Sequence, residues 1–490
     1  MNPTGKPPRT NRDRNSSETA SIRDASCYAT MMGAGESYLS AFGIFLHASV
    51  FQIGVLAALP PFLGSLFQAV SVWLSNRFSN RRSLIVVSSA FQGLLWIPIG
   101  LLAFSHSDNG EAVLALIFLV TLYHCASGFI TPLWSSLIGD LIPEKRRGEF
   151  FGERNGWAGL FTCLSFLFAG ALLEASTSLK LTAVGYASIF TVALFGRLGS
   201  SYWLLQHDNP AYKPPKDSYF TFLQFLKRFP RSSFPRFVIY VSLMAFAVSL
   251  SGPYFTVYLL RDLHLTYLQY TIIVCAAATA QFLSMQTWGK FADHYGSKRI
   301  LTVCGYGISI FPLLWVISGS LWYLTVLQIF GAMMWAGFSM GTTTFLFDAV
   351  TPAKRARCTA YFSIIHASCV LIGSLIGCLL HSTLPSLGHP RGVYSSLPTL
   401  FLVSGGLRFA VAFFFSRYLR EVREVRKSVS QSLIFRIVHL RPIGGATFGS
   451  VSSWMRNARP SIRVRRRRKR PESVQTSPSP TSSRVMRPPS

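Results

Sequence analysis

Glu36 is the residue whose surroundings point most directly to chemistry. It lies in an apolar run, Cys27–Ala48, predicted as a helix that crosses a membrane. At about 1.5 Å of rise per residue it sits roughly 14 Å deep, near the middle of a hydrocarbon core about 30 Å thick. A carboxyl at that depth resists ionisation and can carry a proton near neutral pH. Ser40 and Gly43 continue its face at helical spacing. The group suits proton coupling or solute binding; the competing account is a carboxyl kept neutral, or paired with an arginine, for structure. Arg197 and Arg408 are intramembrane cations, each some ten residues from the end of its apolar run, with Ser200 and Ser201 near the first and Ser404 near the second. They could hold an anionic group, although snorkelling or pairing within a helix bundle suits such residues better. His124 heads a stripe with Ser127, Gly128, Thr131 and Ser135, and His366 one with Ser363, Gly373 and Gly377. Small-residue stripes ordinarily serve close helix packing, so a cavity role for either histidine is the less common use.

The elements that must position these residues are membrane helices. Of 490 residues, 50% are hydrophobic and 13% charged, against about 25% charged in soluble domains. Apolar runs recur along the chain as twelve predicted crossings: Cys27–Ala48, Val50–Asn76, Ser83–Phe104, Ala112–Leu141, Phe150–Leu173 and Leu181–Leu205, then Phe237–Leu260, Thr266–Trp288, Ile300–Gly319, Leu321–Ala349, Thr359–His381 and Leu397–Ser416. The composition therefore predicts an all-α membrane protein: an unstructured start over 1–25, a helical half over 26–206, a Pro- and Lys-containing linker over 207–235, a second half over 236–419 and a basic tail over 420–490. Lys and Arg concentrate in the amino terminus, in the links after every second helix and in the tail; the opposite links hold only Lys180, Arg261 and Arg391. That asymmetry places both termini in the cytoplasm, of a plasma membrane or a bacterial inner membrane.

The halves repeat. A shift of 217 residues lays Gly35 on Gly252, His47 on His264, Gln52 on Gln269, Asn76 on Asp293 and Arg82 on Arg299; a shift of 209 lays Gly128-Phe129 on Gly337-Phe338, and one of 211 lays Arg197 on Arg408. Parallel six-helix repeats build two bundles with a cavity between them at mid-membrane.

Between two of the runs stands Gly289-Lys-Phe-Ala-Asp293-His-Tyr-Gly296-Ser-Lys298-Arg299. Gly289 allows close approach, and Gly296 the positive φ of a tight turn. This stretch resembles the loop signature of the major facilitator superfamily. The first-half copy keeps its basic pair, Arg81 and Arg82, but has Asn76 in place of the aspartate and Val72 and Ser79 in place of the glycines. Trp134 to Asn155 resembles the link between the fourth and fifth helices in uncharacterised bacterial members of that family. The resemblance implies two pseudo-symmetric six-helix bundles and a secondary transporter. It also implies that these loops latch the bundles on the cytoplasmic side, with Asp140 and Asp348 as partners for Arg81 or Arg82 and for Lys298 or Arg299. It puts Tyr254, Gln281 and Trp335 on cavity-lining helices as substrate contacts. The fifth helix lacks the Gly-rich, Pro-containing pattern of many drug antiporters in the family.

The remaining features are exclusions and a tail. None of the eight cysteines forms a Cys-x-x-Cys pair, and neither a His-Glu-x-x-His motif nor a nucleotide-phosphate loop occurs, so neither metal nor cofactor is expected. An intramembrane enzyme, or a transporter-like sensor acting through its tail, is the alternative reading. Arg465 to Arg470 form an unbroken basic cluster suited to anionic lipid headgroups; without aromatic interleaving it is a poor nucleic-acid site. The expected partners are thus a small-molecule substrate and the bilayer, with the protein a monomer.

Overall fold

The computed structural model describes residues 11–75, 80–105, 110–142, 147–209, 233–350, 352–384, 387–388, 394–419 and 421. In a bilayer, backbone polar groups must be satisfied within the segment, and these residues are accordingly helical. Strand occurs among them only as Leu387–Gly388 paired with Tyr394–Ser395. Ten helices carry apolar stretches long enough to cross a membrane: Val50–Gln68, Arg81–Phe104, Glu111–Ile138, Glu153–Ser178, Thr182–Leu205, Phe234–Asp262, Tyr267–Gly289, Leu321–Leu346, Tyr361–Thr383 and Leu397–Ser416. Two further segments complete twelve crossings in the expected order. The ninth, Ser297–Leu314, is less apolar because it opens on Lys298-Arg299. The first is residues 11–45, with polar opening turns. The linker over 210–232 and the tail from 422 onward, including the Arg465–Arg470 cluster, lie outside the described residues.

The first crossing departs most from expectation. Its helix starts at Asn11 and runs to Ala34, followed by a 3-10 turn, Glu36–Tyr38, and a short helix, Leu39–Phe45. Composition reads the residues before 26 as a solvated tail. Yet Ser17, Ala20, Ser21, Asp24 and Ala25 are buried, where this helix packs on the fifth and sixth crossings. Polar residues there serve partners inside the bundle rather than water. The second crossing runs without interruption through Pro60-Pro61.

The duplication is visible in local geometry. His47 and His264 both adopt left-handed φ, 60° and 50°, a conformation in which histidine is enriched among non-glycine residues. Each turns the chain into the next crossing, which then begins with the same reciprocal cap. Ser49 and Gln52 exchange backbone-to-side-chain bonds of 2.8 and 3.2 Å, and Thr266 and Gln269 ones of 3.1 and 3.3 Å. That arrangement satisfies two free helix-end donors at once. Gly35 and Gly252 mark corresponding breaks in the first and seventh crossings; the seventh is helical over Ser233–Ser249 and Tyr254–Val257 and ends in a π turn, Tyr258–Asp262. Gly296, with φ of 87°, ends the eighth crossing and starts the ninth, as a tight turn requires.

Candidate functional site

A buried polar network runs through the first half. At the break in the first crossing, the half-buried Glu36 accepts a 2.6 Å hydrogen bond from the Tyr123 hydroxyl on the fourth crossing. The Tyr123 carbonyl accepts from Gln92 Nε2 at 3.3 Å. Gln92 Oε1 in turn takes Arg197 Nε at 2.7 Å. Arg197 also donates to Ser200 at 2.8 Å and Ser89 at 3.1 Å, and its guanidinium lies 5.0 Å from the centre of the Tyr28 ring. Ser200 donates to Asp24 Oδ1 at 2.6 Å, while Arg154 Nη2 lies 3.4 Å from Asp24 Oδ2. Arg154 also lies over the Trp134 ring at 4.4 Å. Polar side chains persist in an apolar bundle only when bonded in this way.

Asp24, Tyr28, Arg154 and Arg197 line a cavity of about 250 Å³ together with Ser127, Thr131, Trp134 and Ser135 of the fourth crossing. Thr131 and Ser135 are exposed and lie in the half of the fourth crossing nearer the basic links.

Arg408, the repeat counterpart of Arg197, is placed differently. It donates to Ser404 at 3.1 Å, Ile308 O at 3.3 Å, Val248 O at 3.3 Å and Ser251 at 2.8 Å. All four acceptors are neutral and two belong to the broken turn of the seventh crossing. The arginine thus braces a break whose carbonyls carry the negative end of the helix dipole. Arg408→Ala deletes these bonds and opens a void, and a loss of roughly 2–4 kcal/mol is expected. Thermal unfolding in detergent measures it; melting indistinguishable from the parent would contradict the bracing role.

Among the described residues, contacts between the halves, which belong to one compact unit, run from mid-membrane toward the face opposite the basic links. Tyr38 OH donates to Phe166 O at 2.9 Å and lies 2.6 Å from Thr271 Oγ1 on the eighth crossing. Ser374 of the eleventh crossing donates to Gly54 O at 2.9 Å, and Tyr254 OH to Ser374 O at 2.7 Å. Glycines permit this closeness. A Cβ on Gly54 would fall 2.5 Å from Tyr254 OH, and one on Gly170 would fall 2.1 Å from Thr271 Oγ1. The Cys163 and Cys275 sulfurs, one from each half, are 2.7 Å apart.

Of the residues singled out in the sequence, the structure joins Glu36 and Arg197 in one network and leaves Arg408 apart. His124 packs edge-on to Tyr123 at 5.4 Å, and its carbonyl lies against Gly64. His366 packs on Phe362 at 5.6 Å. Tyr254 is fully buried in the closed contact, away from the Asp24–Arg154 cavity. Trp335 is half-buried against Phe338, and Gln281 is exposed. Arg81 is fully buried and bonds Ser136 at 2.6 Å and Asp140 at 2.7 Å, a pairing within the first half. Arg82 donates to Leu205 O and His207 O at 3.2 and 2.9 Å. Beyond the sixth crossing, burial holds the His207 imidazole below its ordinary range. The backbone N–H of Lys298 donates to Glu421 at 3.0 Å, and Arg299 is half-buried. Asp348 is exposed. A Cβ on Gly289 would meet the Met340 methyl at 3.0 Å, so the close neighbour there is a side chain of the tenth crossing. Asp293 lies in the last helical turn before Gly296, and Asn76 is outside the described residues. Asp24, Tyr28, Ser89, Gln92, Tyr123 and Arg154 are the network residues that sequence reasoning passed over. The i, i+4 spacing of Asp24 and Tyr28 was the available signal.

Two bundles of this kind, with matching turns and a polar interior, have relatives. The profile of the Major Facilitator Superfamily matches residues 25–248 and again 237–457. The chain belongs to the major facilitator superfamily. Solved structures of this superfamily share its fold at low identity. The D-xylose–proton symporter superposes with a TM-score of 0.64 at 13% identity, covering 84% of this chain and 98% of that one. A point mutant of the nucleoside transporter NupG gives 0.63 at 14%, covering 83% and 100%. A bacterial homologue of the human lysosomal transporter Spinster, in an inward-facing and unoccupied conformation, gives 0.57 at 17%, covering 84% and 98%. No curated protein matches the chain. As a major facilitator protein this is a multi-pass membrane transporter of small molecules rather than an enzyme.

Proposed function

We propose that the protein is a secondary active transporter that moves a small solute by alternating access and couples its movement to protons through Glu36. One observation carries the reading. The halves are bonded together on the non-basic side, through Tyr38–Thr271 and Gly54–Ser374–Tyr254. On the basic side, the cavity that holds Asp24, Arg154 and Arg197 is exposed at Thr131 and Ser135. A membrane protein closed on one side and open on the other holds one of the two states that such a cycle needs. The basic side is taken as the cytoplasm, of a plasma membrane or a bacterial inner membrane, with both termini there and the basic tail against anionic lipid. Loops carrying Arg81, Arg82, Lys298 and Arg299 would close over the cavity in the other state.

Accessibility tests the cycle. In a chain whose native cysteines are replaced, Ser135→Cys should react with a membrane-impermeant maleimide from the basic side, and Thr271→Cys from the opposite side only while solute is moving. Reaction of both residues from one side alone would refute alternating access. For coupling, Glu36→Gln keeps the size of the side chain and removes its proton. In proteoliposomes carrying an internal pH dye and screened against solute classes, it should abolish solute-driven proton entry and leave solute exchange in place. Unchanged proton entry would remove Glu36 from the mechanism.

A further inference from the structure

We propose that the Asp24–Arg154–Arg197 cavity binds a small organic monocarboxylate, the carboxylate taking the free side of the Arg154 guanidinium; this names the substrate class within the transporter reading and rests on it.

Among the described residues, two guanidinium groups and a single carboxylate line the cavity. Arg197 makes its hydrogen bonds to Gln92, Ser89 and Ser200, all neutral. Asp24 is 4% exposed and holds Ser200 at 2.6 Å, while its contact with Arg154 is longer, 3.4 Å, through one nitrogen. Arg154 Nε is buried without a hydrogen-bond partner. The lining thus carries one positive charge more than its carboxylate balances, with Glu36 lying beyond Tyr123 and Gln92 in the same network; an uncompensated charge inside a membrane-embedded bundle is costly. A monoanion brings that balance to zero; a dianion overshoots it, and a neutral solute leaves it unmet.

The geometry selects a carboxylate among anions. A guanidinium presents two parallel N–H groups that fit the planar carboxylate fork. Arg154 is held for this by the Trp134 ring at 4.4 Å, a stacking that fixes the plane of the fork. Along the fourth crossing, Thr131 and Ser135 spend their protons on backbone carbonyls at 2.9 Å each. Their oxygens are left as acceptors for a hydroxyl or amine elsewhere on the solute. A volume of about 250 Å³ lies just below the usual range for ligand pockets, which limits the solute to a small one. Arg408 offers no equivalent, because two of its bonds go to the break in the seventh crossing and the others to Ser404 and Ile308 O.

The test uses the full chain in lipid nanodiscs and reads thermal stabilisation. Sodium lactate and sodium benzoate are the probes, with lactamide, benzamide, sodium glutarate and sodium phosphate as comparators. The monocarboxylates should raise the melting temperature and the amides should not, with glutarate and phosphate weaker. Arg154→Gln should remove the carboxylate effect, and Arg154→Lys, which keeps the charge and loses the fork, should weaken it about tenfold. Should Arg154→Gln fail to fold, the lysine variant decides. Equal stabilisation by amides or phosphate, no stabilisation by either monocarboxylate, or a full carboxylate effect in Arg154→Lys would overturn the proposal. Radiolabelled lactate counterflow in proteoliposomes separates the two readings. Binding without counterflow removes transport and leaves the site; flux of a neutral solute without carboxylate binding removes the site and leaves transport.

Discussion

Oxidation of the full chain with copper–phenanthroline should join Cys163 to Cys275 and stop transport until a reductant is added. The sulfurs lie 2.7 Å apart on the fifth and eighth crossings, one in each half. The two thiols lose two protons, and their two electrons pass to the copper oxidant. The bond formed would staple together surfaces that the proposed cycle separates. A protease site placed within 210–232 gives the readout, since cleavage there severs the two halves. After oxidation the fragments should run together on a non-reducing gel and separate with dithiothreitol, and Cys163→Ser should abolish the link. Flux that continues in fully linked protein would show that this contact does not part during the cycle. Fragments that never link would show that the sulfurs are not neighbours.

The second large effect is expected from Gly170→Val, with Gly54→Val as its counterpart on the other contact. A Cβ at Gly170 falls 2.1 Å from Thr271 Oγ1, the atom that lies 2.6 Å from the Tyr38 hydroxyl. A Cβ at Gly54 falls 2.5 Å from Tyr254 OH and 3.1 Å from Ser374 Oγ. Valine at either position must push the halves apart on the closed side. Overpacking of this kind costs about 1–3 kcal/mol, enough to shift a two-state equilibrium roughly 5- to 150-fold. Both variants should therefore favour the state open to the non-basic side. Labelling of Thr271→Cys from that side should rise without added solute, and labelling of Ser135→Cys from the basic side should fall. A pattern matching the parent would mean that these contacts do not hold the closed state.

These expectations rest on pairings between distant segments, and such pairings mark the limit of what a sequence carries. Twelve apolar runs, their alternating basic links and the signature from Gly289 to Arg299 were legible because each is local. Bilayer thickness sets the length of a run, and a positive φ demands its glycine. The duplication was legible for the same reason, and His47 with His264 and Gln52 with Gln269 proved to be the same turn built twice. Glu36 and Arg197 stood out because a charge in an apolar run is conspicuous. Asp24 did not, since the residues around it are as polar as a tail, and only burial against the fifth and sixth crossings distinguishes the two. Arg197 and Arg408 occupy equivalent places in the chain, yet one lines a cavity with a carboxylate nearby and the other braces a broken helix. Their own positions do not separate them; the neighbours do. The sequence by itself determined the number of crossings, the repeat and the family. Tertiary structure decided where the halves touch, which arginine lines a cavity and which cysteines meet, because each depends on side chains brought together from helices far apart in the chain.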